Sequence, residues 1–182
     1  FADAMVGQVI DALDRSGRTN DTIIVLWSDH GWHLGEKLRW RKQTLWEEST
    51  RVPLIIVAPG VTTPGSRSAR TVSLIDIFPT LTELVGFETP SYLEGASLVP
   101  LLEDPDAPWD RVAISAFGFE SLAVRNERFR YIRYYDGSEE LYDHEADPNE
   151  WTNLAGDPSY AEVKAELREK LPSENAPDAY RP

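Results

Sequence analysis

An α/β fold is predicted for this chain: part of a mostly parallel sheet flanked by helices, followed by a small antiparallel C-terminal subdomain with a closing helix. Three observations predict it. Thr22 to Trp27 and Pro53 to Ala58 are continuous apolar runs rich in β-branched residues, the pattern of strands buried on both faces. Stripes of apolar residues at spacings of three and four precede the first run and follow the second, as flanking helices require. From Pro90 the character changes to short strand-like pieces separated by turn residues, which is the grammar of an antiparallel meander.

Residues 1–16 carry apolar side chains at Phe1, Met5, Val6, Val9, Ile10 and Leu13, one helical stripe, and Gly17 suits the left-handed position past a helix end. The stripe already runs at Phe1 with no Ser, Thr, Asp or Asn ahead of it, so further sequence is expected upstream. Asn20 and Asp21 mark a turn into the first strand, and a polar stretch from Ser28 to Arg51 leads to the second, which Pro59 and Gly60 end. Ser73 to Val85 reads as a helix with Pro79 in its first turn, Asp76 as its cap and Gly86 as its stop. Strand-like pieces follow at 112–117, 122–125 and 129–135, with Asn126 and Glu127 between the last two. Ala161 to Leu171 is an amphipathic closing helix, and the last eleven residues, with three prolines, read as a tail. The expected division is 1–105, part of an α/β catalytic domain, and 106–182, the small β-plus-helix subdomain and tail.

Charge and composition narrow the partners. With 18 Lys and Arg against 31 Asp and Glu the net charge is −13, a field that repels nucleic acid and anionic membranes. The longest purely apolar run, Ile23 to Trp27, is far short of the roughly 20 residues of a membrane span. The absence of cysteine excludes thiolate metal sites, disulfides and a cysteine nucleophile in these residues.

The chemistry concentrates in Ser28 to Lys42, SDHGWHLGEKLRWRK. It begins where a buried strand ends, and open α/β sheets bind ligands at the carboxyl ends of their strands. Asp29 supplies a hard oxygen suited to Ca²⁺ or Mg²⁺. His30 can ligate a metal, donate to a charged oxygen or move a proton. Gly31 lets the backbone turn sharply. Lys37, Arg39, Arg41 and Lys42 put four positive charges in six residues. A metal corner beside a cationic cluster suits a tetrahedral oxyanion ester. Plainer roles compete. The cations can form a solvated loop pairing Glu36, Glu47 and Glu48; His33 reads as a surface or packing histidine; Trp32, Trp40 and Trp46 read as packing; and His144 lies in turn-like sequence.

The longer string TIIVLWSDHGWHLGEKLRWRKQTLWEESTRVPLIIVAPG resembles the sulfatase family of the alkaline phosphatase superfamily, especially its iduronate-2-sulfatase and choline-sulfatase type. IDIFPTLTELVG, LEGASLVPLL and ELYDHEADPNEWTNLA resemble that family's later segments, in the right order over nearly the whole chain. The resemblance implies a metal-dependent sulfuric ester hydrolase releasing inorganic sulfate from a sulfate ester, of which this is the C-terminal portion. It implies Asp29 and His30 at a divalent metal, usually Ca²⁺, with His30 also near the sulfate or nucleophile. It implies Lys42, in Trp40-Arg41-Lys42, on the sulfate group; His33, Lys37 and Arg39 lie where the family varies and are candidate substrate contacts. The family's formylglycine nucleophile arises from a C/S-x-P-x-R motif, which these residues lack, so the chain alone is expected to be inactive. A periplasmic or secreted location is what the resemblance suggests. Two other readings stand beside it: a phosphodiester or phosphonate monoester hydrolase of the same superfamily, and a non-catalytic truncated homologue.

Overall fold

The computed structural model describes residues 1–173, so the expected tail falls mostly outside the described residues. Helix α1, Ala2–Ser16, ends where Gly17 takes φ 72°, a left-handed conformation that glycine adopts without steric cost. Its apolar stripe is not covered: no α1 residue is buried, and Val9 is 68% exposed.

Strand β1, Ile24–Trp27, pairs with β4, Leu54–Val57, in the register Ile24↔Val57 to Trp27↔Leu54. Between them lie the short strands β2, His33–Leu34, and β3, Trp40–Arg41, and the one-turn helix α2, Glu47–Thr50. The fold is α/β, but the β1–β4 pair is antiparallel where a parallel pairing was expected. The reason is the connection. Parallel neighbours need a crossover, usually a long helix, whereas the segment after Trp27 makes a hairpin and one helical turn and re-enters beside Trp27. Burial on both faces is not observed either. Burial in β4 alternates, with Ile55 and Val57 exposed, and Trp27 of β1 is 52% exposed.

Helix α3, Ile77–Leu84, follows a 3-10 turn at Leu74–Asp76. Asp76 stands at the N-cap position of α3 as expected, but it makes no side-chain cap bond there, and the capping box belongs to the 3-10 turn. Ser73 is the capping residue, and Asp76 closes the box by accepting from the Ser73 N–H at 2.8 Å while its other oxygen accepts from Ala96 N–H at 2.8 Å. Helix α4, Val99–Glu103, starts with Pro100 in its first turn, where a missing N–H costs nothing. Arg70 then ties the early loops to the later chain, donating to the carbonyls of Asp106 and Ala107 and to Glu127.

The meander is a four-stranded antiparallel sheet in the order β5, Ala113–Ala116; β6, Leu122–Arg125; β7, Phe129–Arg133; and β8, Glu139–Asp143. Strand β8 is not among the strand-like pieces marked by the sequence, because Glu139, Glu140 and Asp143 have weak strand preference. The turn between β6 and β7 is built by Asn126, whose side chain accepts from the N–H groups of Arg128 and Phe129. The outer edge of β8 is already used: Leu141 N–H donates to Asn153, Leu154 N–H donates to the Leu141 carbonyl, and Asn153 donates to the Glu139 carbonyl.

Alternation along these strands makes two cores. On one face Leu122, Val124, Tyr131 and Leu141 pack against Leu167 and Leu171 at helix α5, Ala161–Glu169. On the other face Ala123, Ile132 and Tyr142 pack against Leu45, with Trp46 partly buried beside them. The second core is the one that matters here, because it brings the segment just after Lys42 onto the C-terminal sheet. Among the described residues no helix is long and apolar enough to cross a membrane.

Candidate functional site

Asp29 and His30 leave the end of β1 and are turned by Gly31. The turn sits on helix α2: Gly31 N–H donates to the Ser49 carbonyl at 2.9 Å, and a Cβ at Gly31 would run into the Glu48 carbonyl. Only glycine permits this approach. The β2–β3 hairpin, in register His33↔Arg41 and Leu34↔Trp40, then returns the chain on itself and delivers Lys42 to His30. Four non-glycine residues of this excursion, Lys37, Leu38, Arg41 and Gln43, have φ between 51° and 77°. Such strain persists only where surrounding contacts impose it.

At the corner, His30 Nδ1 lies 2.8 Å from the Gly31 carbonyl oxygen, which can only accept, so Nδ1 carries the proton. The Nε2 lone pair is therefore free to receive a hydrogen bond from Lys42 Nζ at 2.7 Å. Asp29 Oδ2 lies 3.5 Å from the same nitrogen, and its side chain is 81% exposed. The side chains of Asp29, His30 and Lys42 thus share one point. They border a cleft of about 1030 Å³ whose lining also includes Glu47, Arg130 and His144. The Asp29 carboxylate suits a hard divalent ion, whereas His30 Nε2 can ligate one only in place of its bond to Lys42, because a single lone pair serves one partner at a time.

The other expected contacts are not brought to this corner. His33 is fully buried, its Nε2 on Thr44 Oγ1 at 2.8 Å and its ring edge-on to Trp46. Lys37 Nζ sits 4.2 Å from the ring centres of both Trp46 and Tyr142 and donates to the Tyr142 hydroxyl at 3.0 Å. Burial between the rings pulls the Lys37 amine below its usual range, against the nearby Glu150 and Glu140. Packing thus accounts for both residues. Arg39 is exposed in the hairpin. Trp32 and Trp40, read as packing, are 51% and 67% exposed.

Sequence reasoning missed a second constellation. Arg130, 2% exposed, donates from Nε to Glu150 at 2.6 Å, from Nη1 to the Leu45 carbonyl at 3.1 Å, and from Nη2 to Glu47. Glu150, fully buried, also accepts from His144 Nε2 at 2.9 Å and from Glu47 N–H at 3.0 Å. Burial works to raise the Glu150 carboxyl, but the His144 hydrogen bond and the Arg130 charge outweigh it and hold it below the ordinary range. Donor atoms of Glu47, His144 and Glu150 lie within 4.8 Å of one another, close enough for a cation by spacing alone. Two guanidiniums already face these carboxylates, with Arg125 Nε 3.5 Å from Glu47, so their charge is balanced without one. The only available sequence signal was a Glu-rich string around His144, and it does not reveal which distant arginine it meets.

The fold that carries this corner recurs in solved structures. One solved structure, a protein in complex with its substrate D-glucosamine-2-N,6-O-disulfate, superimposes with a TM-score of 0.85 at 33% identity, covering 92% of this chain and 36% of that one. The phosphonate monoester hydrolase of Agrobacterium radiobacter superimposes with a TM-score of 0.81 at 33% identity, covering 93% of this chain and 38% of that one. Residues 35–176 match the family described as N-sulphoglucosamine sulphohydrolase, C-terminal, and the chain belongs to that family. A sulfatase of Formosa agariphila is 40% identical over 97% of this chain and 34% of its own length. A choline-sulfatase of Rhizobium meliloti is 38% identical over 87% of this chain and 32% of its own. The chain thus spans about a third of the length of these curated relatives.

Proposed function

We propose that this chain forms the C-terminal part of a metal-dependent sulfuric ester hydrolase, which adds water to a sulfate ester and yields an alcohol and inorganic sulfate. The observation that supports it most directly is the convergence of Asp29, His30 and Lys42 at the end of β1. Lys42 meets a non-bridging sulfate oxygen as a compact positive charge. Asp29 and His30 hold the divalent ion, Ca²⁺ by family resemblance. When bound, that ion supplies Lewis-acid stabilisation of charge on the sulfate oxygens. Gly31 engages Nδ1, so the Nε2 lone pair faces the site, where an ion would replace Lys42 on it and leave the ammonium to the sulfate. The formylglycine nucleophile and the remaining metal oxygens come from outside these residues, as do the parallel strands that extend the β1–β4 pair. Residues 1–105 serve as the catalytic half and 106–182 as the supporting subdomain.

The phosphonate monoester hydrolase relationship favours one rival, since that chemistry also places a metal and cations around a tetrahedral oxyanion. The test is a substrate panel on the full-length protein: an aryl sulfate, N- and O-sulfated glucosamine, an aryl phosphodiester and an aryl phosphonate monoester. Sulfate release exceeding the phosphorus chemistries by at least an order of magnitude supports the sulfatase reading. The reverse ratio replaces it with the rival, and inactivity on all four with intact metal supports a non-catalytic homologue.

A further inference from the structure

We propose that Arg130, on the C-terminal sheet, is a positioning residue that fixes Lys42 against His30; this rests on the role given to Lys42 above. The argument begins with what holds the backbone after Lys42. Leu45 and Glu47 lie three and five residues further on. The Leu45 carbonyl accepts from Arg130, 85 residues later, and the Glu47 N–H donates to Glu150, 103 residues later. Arg130 and Glu150 also bond each other, so one buried unit grips both main-chain groups. A planar guanidinium holds its donors in a rigid fork, so the carbonyl and the two carboxylates are met at set directions that a flexible ammonium would not fix.

Two further connections carry that grip to the corner. Glu47 opens α2, and the Ser49 carbonyl of α2 receives the Gly31 N–H, so the Asp29–His30 turn rests on the same element. In the other direction Thr44 donates to Ser49 Oγ at 3.0 Å and accepts from His33 Nε2, which fixes the hairpin end that presents Lys42. A shift of residues 44–50 therefore moves both sides of the 2.7 Å contact between Lys42 and His30. Buried ionic networks contribute little net stability compared with apolar packing of the same volume, so stability is a weak reason for this one. Holding a charged loop in register is the stronger reason.

The test uses the full-length protein with Arg130→Gln, Lys42→Ala and the double variant, assayed on an aryl sulfate. Arg130→Gln is expected to lower kcat/KM by about 10- to 100-fold, the scale of a misplaced catalytic group. The double variant is expected to be no worse than Lys42→Ala alone, because Arg130 acts through Lys42. Multiplying losses overturn the proposal. A second readout is independent of turnover. In protein labelled with ¹⁵N-histidine, the His30 Nε2 resonance, assigned with His30→Gln, is expected to move in Arg130→Gln toward its position in Lys42→Ala. An unmoved resonance overturns the proposal even if the protein hydrolyses no sulfate, an outcome that would instead remove the sulfatase reading. Should Arg130→Gln fail to fold, Glu150→Gln carries both measurements with the same expected and contrary results.

Discussion

Lys42 Nζ donates to His30 Nε2 across 2.7 Å, although twelve residues and a hairpin separate them in the chain. The contact depends on a backbone carbonyl: with Gly31 accepting from Nδ1, His30 has only a lone pair to offer on the other nitrogen. A protonated His30 would turn an N–H toward an ammonium. The geometry thus selects the tautomer that turns the His30 Nε2 lone pair toward Lys42.

Asp29→Ala in the full-length protein is expected to abolish sulfate release and to weaken Ca²⁺ binding, followed by calorimetric titration. Among the described residues the exposed carboxylate has no partner beyond its 3.5 Å approach to His30, so the melting temperature is expected to stay near wild type. Unchanged titration would remove Asp29 from the metal.

Lys42→Ala is expected to cost about 2–4 kcal/mol of transition-state stabilisation, read as kcat/KM on an aryl sulfate. Lys42→Arg is expected to recover only part of it, since a broad guanidinium does not reproduce a compact ammonium beside His30 Nε2. Wild-type kinetics in either variant would contradict this role.

Gly31→Ala places a methyl group against the Glu48 carbonyl. The backbone has to move, because the obstacle is main chain. A stability loss of about 1–3 kcal/mol is expected in chemical denaturation, accompanied by a fall in activity as α2 and the corner separate. Full stability would show that the turn has slack which the geometry denies.

Asp143 is buried and accepts two hydrogen bonds from Arg128, from Nε at 2.9 Å and Nη2 at 2.6 Å. The Arg128 hydrogen bond holds its carboxyl below the ordinary range, against burial. A depressed folded value means the contribution is complete above the unfolded carboxylate range near 3.9 and is lost as pH falls through the folded value. Asp143→Asn is therefore expected to destabilise the protein at neutral pH and to flatten the acid limb of a melting-temperature profile. An identical acid limb in wild type and variant would exclude this pair as its source.

The local elements were legible and their partners were not. The helix over residues 1–16 followed from a 3.6-residue stripe, and the β6–β7 turn followed from Asn126. Both are decisions made within a few residues. The direction of β4 against β1 depends on where the intervening segment travels, and hydrophobic pattern does not record that. Strand β8 was hidden because its pairing with β7 and the Asn153 contacts override the weak strand preference of Glu139, Glu140 and Asp143. Asp29, His30 and Lys42 were readable because they share one short segment. His33 and Lys37 share it too, and only the packing against Trp46 and Tyr142 separates them from the corner. The Arg130–Glu150–Glu47 unit was unreadable because its members lie up to 103 residues apart.

The bonds along the outer side of β8 also close that flank to strand addition. An incoming extended chain would look for the Leu141 N–H and the Leu141 and Glu139 carbonyls, and Asn153 and Leu154 already engage all three. Strand addition on that flank would first have to peel away the 153–154 segment, so β8 acts as a terminator. At the other end of the sheet lies β5, where a proline would remove a backbone donor from that flank.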